Sequence, residues 1–527
     1  MTQSTRSYDF ICFGDEVPGI LALVTAAREY RRRMNKFPSS LLMFKGNSQE
    51  GVGGHLVRGR LAYLDRSSIP FGVRQEFQLD DFGDPPAIYK EFISRAGVIK
   101  VSLNPERANI VLRQMLAESG IDILSLVDVD SLIMNGAKIA GIKLKRGETY
   151  LGKQFFDCTV NAELAQLAGA KKLPGFASLG LPNAELSVTL VFETEELSTA
   201  TLKVTEDAYL NRFTNPNDVE AQGWLNVAAG SDPDYKRRIV RDLYFSDGRL
   251  KRMDIGKDYV DIYSKAFSIA YHSFRGTKMA LAESGAEFDN ANIAILPGSN
   301  RLSWNCLLFF VTASEAEALV RNNAKPTQAM LNEYGYVERW LKSLGATAVK
   351  RASELYVRHA GNVADAVVPL TGAQMMAGGV YGYEALGTFG YAFDARGGIA
   401  GLEQRAIEVG APTPSFKKPV FNVGMKHALL KTVPNLAVLG PGSGFDGNAS
   451  TAGRIIEYNV AVGQAVGIAA CLALLTNRNL NSFSNSEIRS ILVATGRLPK
   501  VYGIYDADET QRIALFEKLV GVPIYTV

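Results

Sequence analysis

The stretch FICFGDEVPGILALVTAAREYRRR, residues Phe10–Arg33, decides the fold. An apolar run leads into Gly14, a short turn follows, and a second glycine, Gly19, opens a segment with helical spacing of apolar residues. This order is typical of the strand–turn–helix unit that binds a dinucleotide, in which glycines let a pyrophosphate approach the backbone. The middle glycine of the G-x-G-x-x-G pattern is replaced by Glu16. The stretch therefore predicts a dinucleotide-binding topology whose phosphate turn is altered.

The composition is that of an ordinary globular protein, and it narrows the class of partner. The 527 residues are 47% hydrophobic and 21% charged, and the formal net charge is only +3. Nothing indicates the clustered basic face that nucleic-acid binding needs. The four cysteines are far apart and form no C-x-x-C pair, and the four histidines are scattered. We therefore expect reduced thiols in the cytoplasm, no metal site and no nucleic-acid partner.

One long uncharged stretch, Val460–Thr476, raises the question of a membrane span. It is shorter than the roughly 20 residues that a spanning helix needs. It also contains Gln464 and two glycines. We expect a buried helix packed on a sheet, and no membrane span. The polar N-terminus enters a strand without the charged and apolar regions of a signal peptide.

The remaining patterns predict a doubly wound α/β domain that is interrupted by a different section. Residues 8–14 and Ser39–Lys45 are typical of buried parallel strands, and Pro18–Arg33 between them is typical of a helix. A strand, a helix and a second strand form a right-handed crossover in a parallel sheet. The section 185–425 instead contains the long strands of a second sheet, and α/β texture returns from residue 434.

Six segments, in their order along the chain, carry a resemblance to a known family. They are GDEVPG (Gly14–Gly19), GVGGHL with Gly53 and Gly54, DCTVNAELAQLAGA (Asp157–Ala170), SWNCLLFF with Asn305, TFGYAFDARGG with Tyr391, Asp394 and Arg396, and NLAVLGPGSGFDGNASTAGRIIEYNVAVGQAVG with Gly440, Arg454, Gly463 and Gln464. The chain resembles FAD-dependent oxidoreductases of the glutathione-reductase-type FAD fold, and within them a bacterial family with an inserted substrate domain. One glycine-rich turn alone is a weak signal, whereas six segments in order point to this fold.

The resemblance implies an architecture and a cofactor. It implies a Rossmann-like FAD-binding domain, with a doubly wound parallel sheet and a β-meander, built from residues 1–180 and 430–475. An inserted mixed-sheet α+β substrate domain would span 181–429, and a helical tail, 476–527, would pack on the FAD domain. The FAD-binding residues that the resemblance implies are Gly14, Glu16, Gly19, Phe44, Lys45, Gly53, Gly54, Val129, Asp157, Thr159, Gly440, Asp446, Arg454, Gly463 and Gln464.

Three positions depart from the family pattern, and all lie in the half that would hold the AMP and pyrophosphate. Glu16 replaces the middle glycine, Phe44 replaces the acidic residue that takes the ribose hydroxyls, and Val160 replaces a glycine. A carboxylate about 4 Å from a phosphate, at an effective dielectric of about 20, costs about 4 kcal/mol. Glu16 would avoid this cost by swinging away, by capping the helix, or by pairing with Lys45 or Arg58.

Three interpretations of the cofactor position therefore stay open. FAD binds in an adjusted pocket; or the site takes another cofactor, or FAD in a different pose; or the fold is retained without flavin in a non-catalytic binding or assembly protein. The last gains weight if Glu16 and Phe44 fill the AMP pocket. We favour the first, an oxidoreductase that moves hydride between FAD and a small organic substrate. The sequence identifies neither its electron acceptor nor its oligomeric state.

Five residues are candidates for acting on a substrate beside the flavin. His55 could take a proton during hydride transfer, or it could be a packing or surface residue. Arg58 could hold a substrate carboxylate, or it could be a solvated loop residue. Tyr391, Asp394 and Arg396 match a family segment, but Arg396 stands where the family often has histidine, so a histidine base is not implied there. A structural contact of Asp394 with Arg396 or with the backbone is the alternative.

Overall fold

The computed structural model of the protein describes residues 4–522. Residues 1–3 and 523–527, the outermost parts of the ranges 1–180 and 476–527 predicted above, lie outside the described residues. The strands are β1 (Thr5–Phe13), β2 (Ser40–Met43), β3 (Ile121–Leu124), β4 (Val129–Asn135), β5 (Lys138–Leu144), β6 (Thr149–Asp157), β7 (Lys172–Leu173), β8 (Val188–Thr189), β9 (Phe192–Glu195), β10 (Asp254–Ile255), β11 (Tyr259–Asp261), β12 (Ala286–Ile295), β13 (Arg301–Phe309), β14 (Ala348–Arg351), β15 (Asn362–Val363), β16 (Leu370–Thr371), β17 (Thr388–Gly390), β18 (Val420–Asn422), β19 (Leu436–Val438) and β20 (Phe445–Asp446).

The helices lie between these strands and at the end of the chain. They are α1 (Val17–Met34), α2 (Gly54–Val57), α3 (Phe71–Glu76), α4 (Ala87–Arg95), α5 (Pro105–Glu118), α6 (Glu163–Leu167), α7 (Thr199–Phe213), α8 (Val219–Ala228), α9 (Pro233–Arg241), α10 (Ala266–Arg275), α11 (Leu281–Ser284), α12 (Ala313–Arg321), α13 (Gln328–Ser343), α14 (Gly372–Met376), α15 (Leu402–Glu408), α16 (Ala449–Gly453), α17 (Ile456–Thr476), α18 (Asn485–Ala494) and α19 (Ala507–Gly521). Short 3₁₀ turns occur at Ala177–Leu179, Lys426–Ala428 and Leu480–Ser482.

The first sheet has the strand order β3-β2-β1-β6-β5-β4, and β19 also pairs with β6. Strands β3, β2, β1, β6 and β19 run parallel, whereas β4 and β5 form an antiparallel meander that leads into β6. The register aligns Cys12 with Leu42 and with Phe156, and all three side chains are buried. Strands covered on both faces are continuously apolar for this reason. The prediction of a Rossmann-like parallel sheet with a β-meander is confirmed.

Helix α1 follows β1 and packs against the long apolar helix α17. A Cβ at Gly467 would collide with the carbonyl oxygen of Ala22, so glycine permits the two helices to approach this closely. Within residues 4–522, α17 is the one helix that is long and apolar enough to cross a membrane, and 78% of its apolar window is buried in the protein. The stretch 460–476, predicted to be a buried helix, is therefore part of α17, which packs in the core beside the first sheet.

The second sheet is antiparallel, in the order β10-β11-β12-β13-β9-β14, with β8 beside β13. Trp304 stacks on Phe192 with ring centroids 5.9 Å apart, and its indole N–H donates to Thr194 at 2.9 Å. Helices α7, α8, α10 and α13 cover these rings and form a separate apolar core with them. The strands of this sheet fall inside the section 185–425, where long strands were predicted.

The tail closes against the rest of the chain through capped helices. Helix α18 begins with a capping box formed by Ser484 and Glu487. From helix α19, the Glu517 carboxylate accepts the backbone N–H of Gly372 at 3.0 Å and of Asn448 at 2.7 Å. A carboxylate of the tail thereby caps α14 and holds the loop before α16.

Candidate functional site

The turn between β1 and α1 keeps the backbone shape of a phosphate-binding turn. Gly14 has a φ of +94°, and a Cβ there would lie 2.5 Å from the carbonyl oxygen of Cys158. Gly19 packs equally closely on Cys158, whose sulfur accepts the Gly19 N–H at 3.0 Å. Both glycines are required because the segment after β6 presses on the turn. One backbone donor at the start of α1 is thereby used inside the protein.

Glu16 reaches across this turn to the loop that follows β2. Its carboxylate accepts the backbone N–H of His55 at 3.2 Å, and its Oε2 lies 2.5 Å from His55 Nδ1. A Cβ on Gly54 would collide with the Glu16 carboxylate, so this carboxylate rests directly on the Gly54 backbone. Glu16 therefore lies between the two glycine-rich segments, where the pyrophosphate of a bound dinucleotide would pass.

Two of the predicted ways of relieving the charge of Glu16 are not formed in the structure. Capping of α1 is wrong, because Glu16 is the residue before the helix but makes no side-chain cap bond. Pairing with Lys45 or Arg58 is also wrong. Lys45 lies 2.6 Å from Glu163, and Arg58 binds Asp15. The partner of Glu16 is instead His55.

Asp15, beside Glu16, is the second carboxylate of the turn. Its Oδ2 accepts the backbone N–H of Gly53 at 3.0 Å and of Gly54 at 3.2 Å. Arg58 binds it in a two-pronged geometry, at 2.5 Å and 2.9 Å. Burial alone would raise the pKa of Asp15, but the Arg58 charge and these N–H donors outweigh burial and hold the pKa below its usual value. Asp15 is therefore an ionised, fully partnered carboxylate.

Arg58 is shared with a second acid, Glu354, which approaches from the loop after β14. Arg58 Nε donates to Glu354 at 2.7 Å, and the Arg58 side chain is only 5% exposed, so it is not a solvated loop residue. Burial raises the pKa of Glu354 to about 7, against the opposing charge of Arg58 and with the help of Asp15 and Glu16. One guanidinium does not neutralise two buried carboxylates, and Asp15 holds it more closely. We call Asp15, Glu16, His55, Arg58 and Glu354 the turn cluster.

Phe44 lies on the other side of the same guanidinium. Its ring is buried, and the Arg58 guanidinium carbon lies 5.2 Å from the ring centroid. Phe44 thus takes the place of the ribose-binding acid and packs against an arginine that is itself held by Asp15 and Glu354. Glu16 and Phe44 together fill the place predicted for AMP and pyrophosphate.

The segment after β6 uses its polar groups internally as well. The Asp157 carboxylate accepts the Ala165 N–H at 2.9 Å and both the N–H and the hydroxyl of Thr159. Burial raises the pKa of Asp157 to about 6 although these donors oppose the rise. Asp157 and Thr159, both predicted to bind FAD, therefore stabilise the turn that precedes α6.

The space left at this position is small. The cavity lined by the turn cluster, Phe44, Lys45 and Thr159 has a volume of about 90 Å³. A neighbouring cavity beside Tyr356 and Ile455 has a volume of about 10 Å³. Sites for cofactor-sized ligands are typically about 300–1,000 Å³. In this conformation, the residues present do not fit the AMP and pyrophosphate of FAD.

The remaining residues predicted to bind FAD are also engaged in packing. The Gln464 side-chain oxygen accepts the Ile88 N–H at 3.2 Å, and Gly463 packs on the Pro18 carbonyl oxygen. The Gly440 N–H donates to the side chain of Asn459 at 3.0 Å. Asp446 pairs with Thr371 between β20 and β16, and Val129 lies in β4 of the meander. Each of these residues has a structural contact that is independent of a ligand.

The predicted residues of the segment 391–396 lie at a second position, between the two sheets. Asp394 binds Arg454 at 2.8 Å, and Arg454 also donates to the Tyr356 hydroxyl at 2.7 Å. Arg396 instead binds Asp289 at 2.9 Å, so the expected contact between Asp394 and Arg396 is not formed. Asp394 therefore lies at the Arg454 guanidinium, whereas Arg396 turns toward β12.

A third arginine at this position, Arg358, is buried without a counter-ion. Its side chain donates to the Ser187 carbonyl oxygen at 2.9 Å, to Thr189 at 2.7 Å and to Asn305 at 3.2 Å. None of the carboxylates between residues 4 and 522 forms an ion pair with it, and the residue is 2% exposed. Burial, together with the charges of Arg454 and Arg396, lowers the pKa of Arg358 to about 10, although Tyr356 and Asp394 oppose the change.

Asp65 and Tyr391 complete this group. Burial raises the pKa of Asp65, and the nearby Arg454 and Tyr391 hydroxyl oppose the rise. Burial, followed by the charge of Asp65, raises the pKa of Tyr391 well above its usual value. The two groups lie within hydrogen-bonding reach of each other. We call Asp65, Arg358, Tyr391, Asp394 and Arg454 the interface cluster.

The structure connects the two clusters, which the sequence could not do. The His55 ring of the turn cluster stacks on Tyr356 at a centroid distance of 4.9 Å, and Tyr356 accepts from Arg454 of the interface cluster. Sequence reasoning missed Asp15, Asp65 and Glu354. Asp15 had a visible signal, because two consecutive acids in a phosphate turn are unusual chemistry for that site. Glu354 had none, since it comes from a loop about 300 positions away.

Among residues 4–522, no group of three or more histidine, cysteine, aspartate or glutamate side chains is arranged to hold a metal ion. The four cysteines are buried and free. Burial raises the pKa of the Cys12 and Cys158 thiols well above the usual value, so both are inert as nucleophiles.

Comparisons with known proteins find a family model and similar solved structures. A family model described as FAD dependent oxidoreductase matches residues 50–492. A search of curated proteins gave no match. Similar solved structures include a geranylgeranyl bacteriochlorophyll reductase-like protein from Thermoplasma acidophilum, with 11% identity, 99% of this chain and 90% of that chain covered, and a TM-score of 0.37. L-proline dehydrogenase from P. horikoshii has 11% identity, coverage of 94% and 100%, and a TM-score of 0.34. Halogenase PltM has 10% identity, coverage of 90% and 71%, and a TM-score of 0.35.

Proposed function

The chain belongs to the FAD-dependent oxidoreductase family, whose cofactor is FAD, and from this premise we propose that it oxidises or reduces a small organic substrate that carries an anionic group. Family membership supports the class of reaction. The anionic group is our inference from the interface cluster, and the observation that carries it is the buried, unpaired charge of Arg358.

An isolated buried charge is costly, and proteins keep such charges where a partner or a ligand compensates them. Arg358 is held in place by three neutral oxygen atoms and lies beside Arg454, a second cation. A substrate carboxylate would supply the missing negative charge and would bind a guanidinium through two parallel hydrogen bonds. The anionic end of the substrate would therefore bind at Arg358.

Proton movement would fall to Asp65 and Tyr391. An acid–base group works best when its pKa lies near the working pH, and burial moves the pKa of Asp65 upward in that direction. Tyr391 lies next to it, and because burial and the Asp65 charge raise the pKa of Tyr391 well above its usual value, its hydroxyl would stay protonated and donate a hydrogen bond to Asp65. FAD would bind only after the turn cluster opens, because that cluster fills the place of the AMP half.

A second candidate is a non-catalytic binding protein on the same fold. The filled AMP position favours it directly. It also has another place to bind a ligand, because a cleft of about 730 Å³ lies between α12, α13 and the end of β13. Apolar Phe310 and Met330 and the charged Lys325 and Glu333 line that cleft.

The two candidates differ in what happens when FAD and substrate are added. The purified protein is mixed with FAD under anaerobic conditions, and the visible flavin absorbance is followed with small hydroxy- and amino-carboxylates and with their methyl esters. We expect bleaching by at least one carboxylate and not by its ester. R358Q should lower kcat/KM at least about tenfold, and R358K should retain part of it.

The exposed arginine Arg241 provides the matched control, because R241Q removes the same charge far from either cluster. Equal bleaching by acid and ester would contradict the anionic substrate. Stoichiometric FAD without bleaching by any compound would contradict the substrate class, and a protein that binds no FAD would establish the second candidate.

A further inference from the structure

We propose that Asp15 and Glu16 are internal ligands that take the place of the cofactor's pyrophosphate, so that these two carboxylates, rather than the fold, limit the affinity for FAD. This inference goes beyond the proposed function because it concerns binding alone and holds whether or not a substrate exists.

The backbone donors of the loop after β2 are already occupied by these carboxylates. Three successive backbone N–H groups, those of Gly53, Gly54 and His55, point to the Asp15 and Glu16 carboxylates. Successive N–H groups in such a loop form an anion-binding concavity of the kind that holds phosphate oxygens. In this protein the anion comes from the chain itself, and the donors have no free capacity for a second one.

The two carboxylates also resemble a pyrophosphate in charge. A pyrophosphate diester carries two negative charges, and Asp15 and Glu16 carry the same number within the same turn. Arg58 already binds Asp15, and the His55 ring lies against Glu16. Glu354 adds a further acid to Arg58. An incoming dianion would therefore meet carboxylates that have already taken the available positive charge.

The turn also leaves too little space for a phosphate group. The Glu16 carboxylate rests on the Gly54 backbone, where any side chain atom on that residue would collide with it. The remaining cavity is about 90 Å³. A phosphate group enters this position only if the Glu16 side chain leaves it. Removing that side chain gives room and removes a repelling charge at the same time.

The test measures ligand binding by titration calorimetry and does not use enzyme activity. The variants are E16G, which restores the glycine of the family pattern, and E16Q, which removes only the charge. E50Q is the matched control, because Glu50 is an exposed acid in the loop after β2. The ligands are FAD, ADP and riboflavin, of which only the first two contain a pyrophosphate. Circular dichroism and a thermal melt confirm that each variant is folded.

We expect E16G to bind FAD and ADP roughly 1,000-fold more tightly than the wild type, which is the effect of removing one like charge at close range. E16Q should show at least about a tenfold gain, and E50Q none. Riboflavin binding should not change. If E16G does not fold, the gain in E16Q carries the test alone.

Affinities for FAD and ADP that stay equal to wild type in folded E16G and E16Q would overturn the inference. So would an equal gain for riboflavin, because the effect would then not concern the pyrophosphate. The outcomes separate from those of the proposed function. FAD binding by E16G but not by wild type supports the inference and contradicts a flavoenzyme role of the wild type. Tight FAD binding by both, without difference, overturns the inference and leaves the function standing.

Discussion

The turn cluster and the interface cluster are both buried groups of charges, but they are completed differently. In the turn cluster the polar atoms are already in contact with one another: Arg58 binds two carboxylates, Glu16 lies against His55, and Asp15 also accepts two backbone N–H groups. In the interface cluster Arg358 has only neutral oxygen partners.

Arg58 and the backbone donors of the turn cluster are therefore already in use, whereas the interface cluster lacks a counter-ion for Arg358 among residues 4–522. A saturated cluster gains nothing from a ligand, because each hydrogen bond to the ligand replaces one that already exists. An unpaired buried cation gains a counter-ion when an anion binds. The position at which the family pattern is best known is therefore filled, whereas the interface cluster keeps one buried guanidinium whose hydrogen-bond partners are all neutral.

The largest expected effect on stability comes from replacing the two arginines, Arg58 and Arg358. R58M should destabilise the protein by about 3–5 kcal/mol, because it leaves Asp15 and Glu354 as buried acids without a cation. R358M should change the free energy of unfolding by no more than about 1 kcal/mol, since the lost hydrogen bonds are offset by removal of an unpaired buried charge. Urea unfolding followed by circular dichroism measures both. Equal losses in the two variants would show that Arg358 is paired as fully as Arg58.

The next effect concerns pH and Glu354. The pKa of about 7 in the folded protein exceeds the usual 4.5, so the folded chain binds this proton more tightly than the unfolded chain does. The stabilisation is therefore complete below about pH 4.5, and it is lost as the pH rises toward about 7, with a loss of about 3 kcal/mol. E354Q stays neutral and keeps its stability over this range.

The check on Glu354 is the difference in unfolding free energy between E354Q and wild type. We expect this difference to grow in favour of E354Q from about pH 5 to pH 8. Parallel curves for the two proteins would mean that Arg58 neutralises Glu354 as well as Asp15, and the description of one cation shared by two acids would be wrong.

The smallest expected effect separates the contribution of one backbone hydrogen bond in the turn from the contribution of the carboxylates. C158A removes the sulfur that accepts the Gly19 N–H and should cost about 1 kcal/mol. It should also speed hydrogen exchange at Gly19, while the FAD affinity stays that of wild type because the carboxylates remain. C306A, at a buried cysteine of the second sheet, is the control and should leave Gly19 exchange unchanged. Faster exchange in C306A would show that the effect is global.

The course of the first sheet was predictable because apolar runs and glycines act locally. The predicted strand 8–14 is β1, which begins earlier because its polar start, Thr5, pairs with Thr149 of β6. The predicted strand Ser39–Lys45 is shorter in the structure, since pairing of β2 ends at Met43. Such ends depend on a partner strand far away in sequence, and a local pattern does not contain that partner.

The candidate site was predictable only in part, for the same reason. The unusual residues Glu16 and Phe44 were visible, and the sequence already showed that their filling the AMP pocket would favour a non-catalytic protein. Their partners could not be named. Glu16 was expected near Lys45 or Arg58, and it lies against His55 because Lys45 is drawn to Glu163 and Arg58 to Asp15.

The sequence by itself determined the family, the parallel sheet with its meander, and the fact that the phosphate turn is altered, because these are carried by the order and spacing of residue types. Only the tertiary structure decided what the alteration means. Whether a carboxylate repels a ligand, caps a helix or replaces the ligand depends on which donors and cations surround it, and Glu354, Cys158 and Arg358 arrive from distant parts of the chain. Electrostatic energies depend on distance and burial in space, and neither is a property of position in the sequence.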